Sequence, residues 1–203
     1  MSYSQFDIEA VRLNFSTKII ERVGTFAEIA EINYSDFLAE TLRFNTPIAL
    51  AINSEKSRSE MIITPILLEL KRLYPEKVSL FSGKDFNVDI EKGLNGFCDF
   101  LISRSPEQLT IMSPVIAVVE AKNENIQGGL GQCMAEMIAA QIFNQQKGNQ
   151  IPRILGAVTT GSSWKFMRLE EKTIEVDLNE YFLNQIGKIL GILSLGLEEE
   201  SGG

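Results

Sequence analysis

Histidine is absent from the 203 residues. That removes imidazole general bases, imidazole-activated nucleophiles and imidazole metal ligands together. Any metal must be held mainly by carboxylates and carbonyls, which points to magnesium or manganese. Cysteine is scarce. Cys98 and Cys133 are the only two, too few for a disulfide framework, and both sit in apolar segments. They read as buried free thiols in a reducing cytoplasm. Basic residues are outnumbered, 19 against 27 acids, which leaves a net charge of −8 and a pI of about 4.8. That balance argues against strong non-specific binding to nucleic acid, though a local basic groove is compatible with it. No apolar run approaches the ~20 residues needed to span a bilayer, so no membrane partner is expected. The first residues, Met-Ser-Tyr-Ser-Gln-Phe-Asp, have neither the charge nor the apolar run of a signal peptide. Repeats and low-complexity tracts are also missing.

What is present is ordinary globular composition, 44% hydrophobic and 23% charged, with enough chain to bury a substantial core. The chain is organised around Pro114 to Asn123. Its apolar, β-branched run is too short for an ordinary helix and reads as a central strand covered on both faces. It ends in Glu120-Ala121-Lys122 without an intervening turn. Strand side chains alternate, so Glu120 and Lys122 share a face and Ala121 takes the other. Their Cα atoms lie roughly 7 Å apart in an extended strand. A carboxylate and an amine there are costly to desolvate unless each has a partner.

Residues 1–53 read as an accessory segment packed on a core domain of residues 54–203. Within the segment, Phe6 to Phe15 suggests a short helix and Thr17 to Val23 a strand. A helix begins at Ser35-Asp36, and Pro47 is expected to interrupt it. Ser54 to Tyr74 is a strong helix, its apolar arc made by Ile62, Ile63, Ile66, Leu67, Leu70 and Leu73. Glu60 falls at the edge of that arc and should look sideways along the buried surface. Taken alone it reads as an acid favoured by the helix dipole. A strand over Val78 to Val88, broken at Ser82-Gly83, precedes turn material at Asp89 to Gly96. Phe97 to Ile102 is a short apolar strand with one acid inside it. Asp is depleted in strands and rarely buried alone, so Asp99 stands out.

After Lys122 comes a polar, glycine-rich stretch, then a helix from about Gly129 to Gln146. Apolar and small residues on two of its sides predict burial on both. Gln132 and Glu136 are neighbours one turn apart. Glu136 reads as part of a solvated stripe, and Gln132 lies nearer the Glu120-Lys122 strand end. Ile154 to Thr160 is another buried strand. Trp164 to Leu169 and Thr173 to Asp177 form a hairpin turning at Glu170-Glu171. A final amphipathic helix spans Asn179 to Leu197, and the tail Glu198 to Gly203 reads as frayed. The order helix, strand, strand, strand, helix, strand predicts an α/β sandwich with a mixed sheet.

Asp99 in one strand, Glu120 and Lys122 at the end of the next, and Glu60 on the preceding helix converge. Carboxylates from adjacent strands can share a divalent cation. A cation can acidify water and stabilise charge on a phosphoryl oxygen, and a lysine is a point cation suited to phosphate. The competing explanation is a buried ion pair stitching two strands, which contributes little net stability.

Over Ser54 to Thr160 the chain resembles the PD-(D/E)XK phosphodiesterase superfamily, the restriction-endonuclease-like fold. The matching residues are Asp99 for the lone acid, Glu120-Ala121-Lys122 for the E-x-K signature, Glu60 for the helix acid and Gln132 for a glutamine on the following helix. A proline directly before Asp99 is missing. The resemblance implies a three-layer α/β/α core and a metal-dependent endonuclease-like activity on DNA. It implies Mg2+ (or Mn2+) held by Glu60, Asp99, Glu120 and the Ala121 carbonyl, with Lys122 positioning or activating water and Gln132 orienting Lys122 or substrate. A homodimer is expected, since members of this class often cut two strands as dimers. The alternative is a catalytically idle module of the same fold, assembled into a larger DNA-processing or defence complex. The acidic balance favours it.

Overall fold

The computed structural model describes residues 1–198. A central mixed sheet of eight strands carries helices on both faces. The strands are β1 (Lys18–Arg22), β2 (Ser79–Asp85), β3 (Phe97–Ser103), β4 (Val115–Ala121), β5 (Ile154–Thr159), β6 (Ser163–Glu170), β7 (Thr173–Asp177) and β8 (Tyr181–Phe182). Their spatial order is β1-β7-β6-β5-β4-β3-β2, with β8 paired to β6. The β1–β7 and β4–β5 pairs are parallel, and the other pairs are antiparallel.

All seven residues of β4 are buried, as a continuous β-branched run in the middle of a two-faced sheet should be. Ala117, Val119 and Ala121 face one core together with Phe100 and Ile102 of β3. Val118 faces the other core with Leu101. The first core is closed by α2 (Asp36–Ile52), α4 (Thr64–Leu73) and α6 (Ile186–Glu198), the second by α1 (Ile8–Phe15) and α5 (Ile126–Gln146). The start of β4 is tied to α5 by Asn144, whose amide donates to the Val115 carbonyl and accepts from the Val115 amide, each at 2.7 Å. Gly156 lets α5 lie close on β5: a Cβ there would sit 2.3 Å from Met137 Sδ. Residues 1–53 contribute β1 to the same sheet and place α1 and α2 on opposite faces.

Several element boundaries differ from the sequence reading. Helix α2 is not interrupted at Pro47 but continues to Ile52. Pro47 is exposed, so the hydrogen bond it cannot donate is missing on the water side, where solvent replaces it. Strand β2 runs through Ser82-Gly83, with Gly83 at φ 57°. Helix α5 begins one turn earlier than expected, where the Asn125 side chain accepts from the Gly128 amide at 3.0 Å. Helix α6 starts only at Ile186, because Tyr181 and Phe182 first pair with β6. Of the tail expected to fray, Glu198 ends α6 and the rest lies outside the described residues.

The helix expected over Ser54 to Tyr74 is divided. It comprises α3 (Glu55–Arg58), a π-helical segment over Ser59–Ile63, and α4. Pro65 lacks the N–H that would bond the Met61 carbonyl one turn back. Asn45 of α2 takes that carbonyl instead, at 3.1 Å. Ile62, Ile63, Ile66, Leu67 and Leu70 are fully buried, while Leu73 is exposed at the helix end.

Candidate active site

The polar residues gather where β4 and β5 end. Lys122 follows β4, and its amide donates to the Thr159 carbonyl at 2.8 Å, fixing the backbone there. Between β3 and β4 the ladder pairs Phe100 with Val119 but goes no further towards Asp99. The Asp99 carboxylate replaces the missing rung: its Oδ2 accepts from the Ala121 amide at 2.8 Å. Asp99 is thus half-buried in the opened seam, beside Glu120 on the next strand.

Glu120 is 1% exposed. Its Oε1 accepts from Lys122 Nζ at 2.5 Å, and its Oε2 accepts no hydrogen bond among the described residues. Burial and then the Asp99 charge push its carboxyl up to about 8, against the pull of Lys122. Burial alone would lower the Lys122 pKa, but the Glu120 carboxylate and its hydrogen bond, with Glu55 and Asp99, outweigh it and hold the amine above its ordinary value. Lys122 is therefore an ammonium at neutral pH.

Helix α5 supplies the facing wall. Gly129, Gln132 and Glu136 recur at helical spacing along it. A Cβ at Gly129 would lie 2.7 Å from Val158 Cγ1 and 3.0 Å from Lys122 Cε, so only glycine lets the lysine stem pass this close. Gln132 Oε1 accepts from Lys122 Nζ at 3.4 Å, and Gln132 Nε2 donates to Glu136 Oε1 at 3.1 Å. Glu136 is fully buried, not solvated as expected, and its Oε2 has no hydrogen-bond partner among the described residues. Burial first and Glu120 second push its carboxyl well above the carboxylate range.

Helix α3 and its flanks border the site. Asn53 Nδ2 donates to Glu124 Oε1 at 3.1 Å, and Arg58 donates to the Thr160 carbonyl at 3.0 Å. Among the described residues, Glu60 makes no hydrogen bond or ion pair with the other residues singled out. Its side chain is 62% exposed and pairs with Lys56 at 3.7 Å. The helix acid whose charge reaches both Glu120 and Lys122 is Glu55. The π segment explains the displacement: it turns less per residue than an α-helix, so extrapolating back from Leu67 at 100° per residue misplaces Glu60.

The structure thus brings together Asp99, Glu120, Ala121, Lys122 and Gln132, and adds Glu136 and Glu55. Among the described residues no three acidic or cysteine side chains are arranged as a ready metal cage. The thiols of Cys98 and Cys133 are buried, and burial raises both pKa values. No helix among the described residues is long and apolar enough to cross a membrane. Compared with known proteins, the chain matches no family model, and no curated protein matches it in sequence.

Proposed function

We propose that the chain is a divalent-metal-dependent phosphodiesterase of the restriction-endonuclease-like class, hydrolysing DNA. The observation that carries the reading is Glu120: a buried carboxylate at a strand end, with one oxygen on Lys122 and the other unpartnered. A buried carboxylate with an open oxygen suits a cation, which would offset its desolvation. Asp99 and Glu120 would hold Mg2+ or Mn2+ with the Ala121 carbonyl, and Glu55 is better placed than Glu60 to add charge from the helix. Such an ion supplies an acidified water and a counter-charge for a phosphoryl oxygen.

The chain's own side chains do the rest. The Lys122 ammonium donates to a non-bridging oxygen of the scissile phosphate or to the attacking water, as a cation rather than a base. Gln132 limits where that ammonium can go. In the structure Asp99 Oδ2 holds the Ala121 amide and so keeps β4 in register, and an ion that claimed that oxygen would release the amide. Lys122 shares Glu120 in the structure and must turn partly away for the phosphate to take its place.

The test is calorimetric titration of the wild type and Asp99→Ala with Mg2+, beside cleavage of plasmid and oligonucleotide DNA. The wild type should bind Mg2+ more tightly at pH 8 than at pH 6, because the ion displaces the Glu120 proton. Asp99→Ala should lose binding and cleavage together. A wild type that neither binds Mg2+ nor cleaves DNA defeats the proposal and leaves an assembly module of the same fold.

A further inference from the structure

We infer that Glu136 is a positioning residue, which sets the Gln132 amide so that its carbonyl end holds the Lys122 ammonium. The inference rests on the proposed role of Lys122. Its starting observation is that Glu136 is an uneconomical residue. It is fully buried in the middle of α5, between the core residues Ala135 and Met137, and one of its oxygens is unpartnered. A buried carboxyl with half its hydrogen-bonding capacity unfilled lowers stability, whereas a methionine of similar length would not. What the carboxyl does there is hold Gln132.

A glutamine side chain has a donor end and an acceptor end, and its neighbours decide which faces which way. Lys122 can only donate, so Gln132 must present its oxygen to Lys122 and its NH2 elsewhere. Glu136 Oε1 receives that NH2 at 3.1 Å. Without an acceptor at position 136 the amide gains by turning round, and two donors would then meet at Lys122. The arrangement works whether Glu136 is charged or protonated, because a neutral carboxyl keeps a carbonyl oxygen. Gln132 also matters most when Glu120 is otherwise engaged. It is then the remaining hydrogen-bonded side-chain partner of Lys122 Nζ among the described residues, the other being Glu120.

The experiment compares Glu136→Met, Glu136→Gln and Gln132→Met with wild type. The readouts are melting temperature, the NMR signal of the 15N-labelled Lys122 ammonium, and Mn2+-dependent DNA cleavage. Glu136→Met should melt at or above the wild-type temperature, since an unpartnered buried oxygen is gone. Its Lys122 signal should move towards that of a free lysine, and kcat should fall about 10–100-fold with KM little changed, the range for residues that orient a catalytic neighbour. Glu136→Gln can still accept from Gln132 and should restore both signal and rate. Gln132→Met should shift the Lys122 signal in the same way. A folded Glu136→Met with an unmoved Lys122 signal overturns the inference. If Glu136→Met does not fold, an unmoved signal in Gln132→Met does so. Should the wild type fail to cleave DNA, the functional proposal falls, while the Lys122 signal still decides whether Glu136 positions it.

Discussion

Asp177 and Glu120 are both acids at the end of a strand, and both are shut from solvent, at 0% and 1% exposure. Their surroundings differ completely. The Asp177 oxygens accept from the amides of Gly24 at 2.9 Å, Phe26 at 3.2 Å and Asn179 at 2.9 Å, and from the Tyr181 hydroxyl at 2.9 Å. Those bonds knot the turn after β1 to the chain leaving β7. Glu120 has the lysine two residues on and an open oxygen. Burial alone therefore does not separate an acid whose hydrogen-bonding capacity is spent within the fold from one with an oxygen left open. The hydrogen-bond count does, because a buried acid with unused capacity is a standing cost to the fold.

The contrast can be broken most decisively at Asp177. Asp177→Ala strands four donors, at about 1–3 kcal/mol each where they stay buried. A loss of about 4 kcal/mol or more in urea unfolding is expected, and a loss below about 1 kcal/mol would show the four bonds to be incidental.

Glu120 should reveal itself by pH. Its folded carboxyl lies at about 8, above the ordinary 4.5, so the folded state binds the extra proton between those values. Stability is then highest below about pH 4.5, declines as pH rises towards 8, and levels off beyond. The full shift from 4.5 to about 8 corresponds to about 5 kcal/mol from this group. Glu120→Gln should flatten that part of the profile, and an unchanged slope would mean Glu120 is not held neutral.

Lys122→Ala sharpens the comparison from the other side. A structural ion pair broken by truncation loses about 3–5 kcal/mol. Here Glu120, with its carboxyl at about 8, is already mostly protonated at pH 7, so the expected loss is below about 1 kcal/mol, with DNA cleavage abolished. The smallest effect belongs to Glu60→Ala. An exposed pair with Lys56 should change stability by no more than about 0.5 kcal/mol and leave cleavage and metal binding as they were.

Much of this end of the molecule is legible in the sequence because strand rules are local. The run before Glu120 is apolar on both faces, and the E-x-K spacing places Glu120 and Lys122 on one of them. Asp99 is conspicuous as a lone acid in an apolar strand. Gln132 is found by its closeness to the helix start. Less legible is anything that depends on where a helix is rolled. Helix α5 is apolar nearly all round, so no moment points to its buried side, and Glu136 looks solvated until the sheet is in place. The signal for Glu136 was its spacing from Gln132 on a helix covered on two sides. Glu55 was hidden by a π segment that no propensity foretells. Pro47 misled because the rule against helical proline concerns a lost hydrogen bond, and on an exposed face water makes good the loss.

Asp99 closes the seam between β3 and β4 with a side chain where a backbone carbonyl would ordinarily stand. A backbone rung persists until the strand unfolds. A carboxylate rung can be called away by any ion or donor that claims its Oδ2, with both strands still in place. The Ala121 N–H is thus a clock wired to the site. Its deuterium exchange should run slowly while Asp99 stays on it and quicken when Asp99 is engaged elsewhere, so that one amide in the middle of the protein would report the occupancy of the cleft.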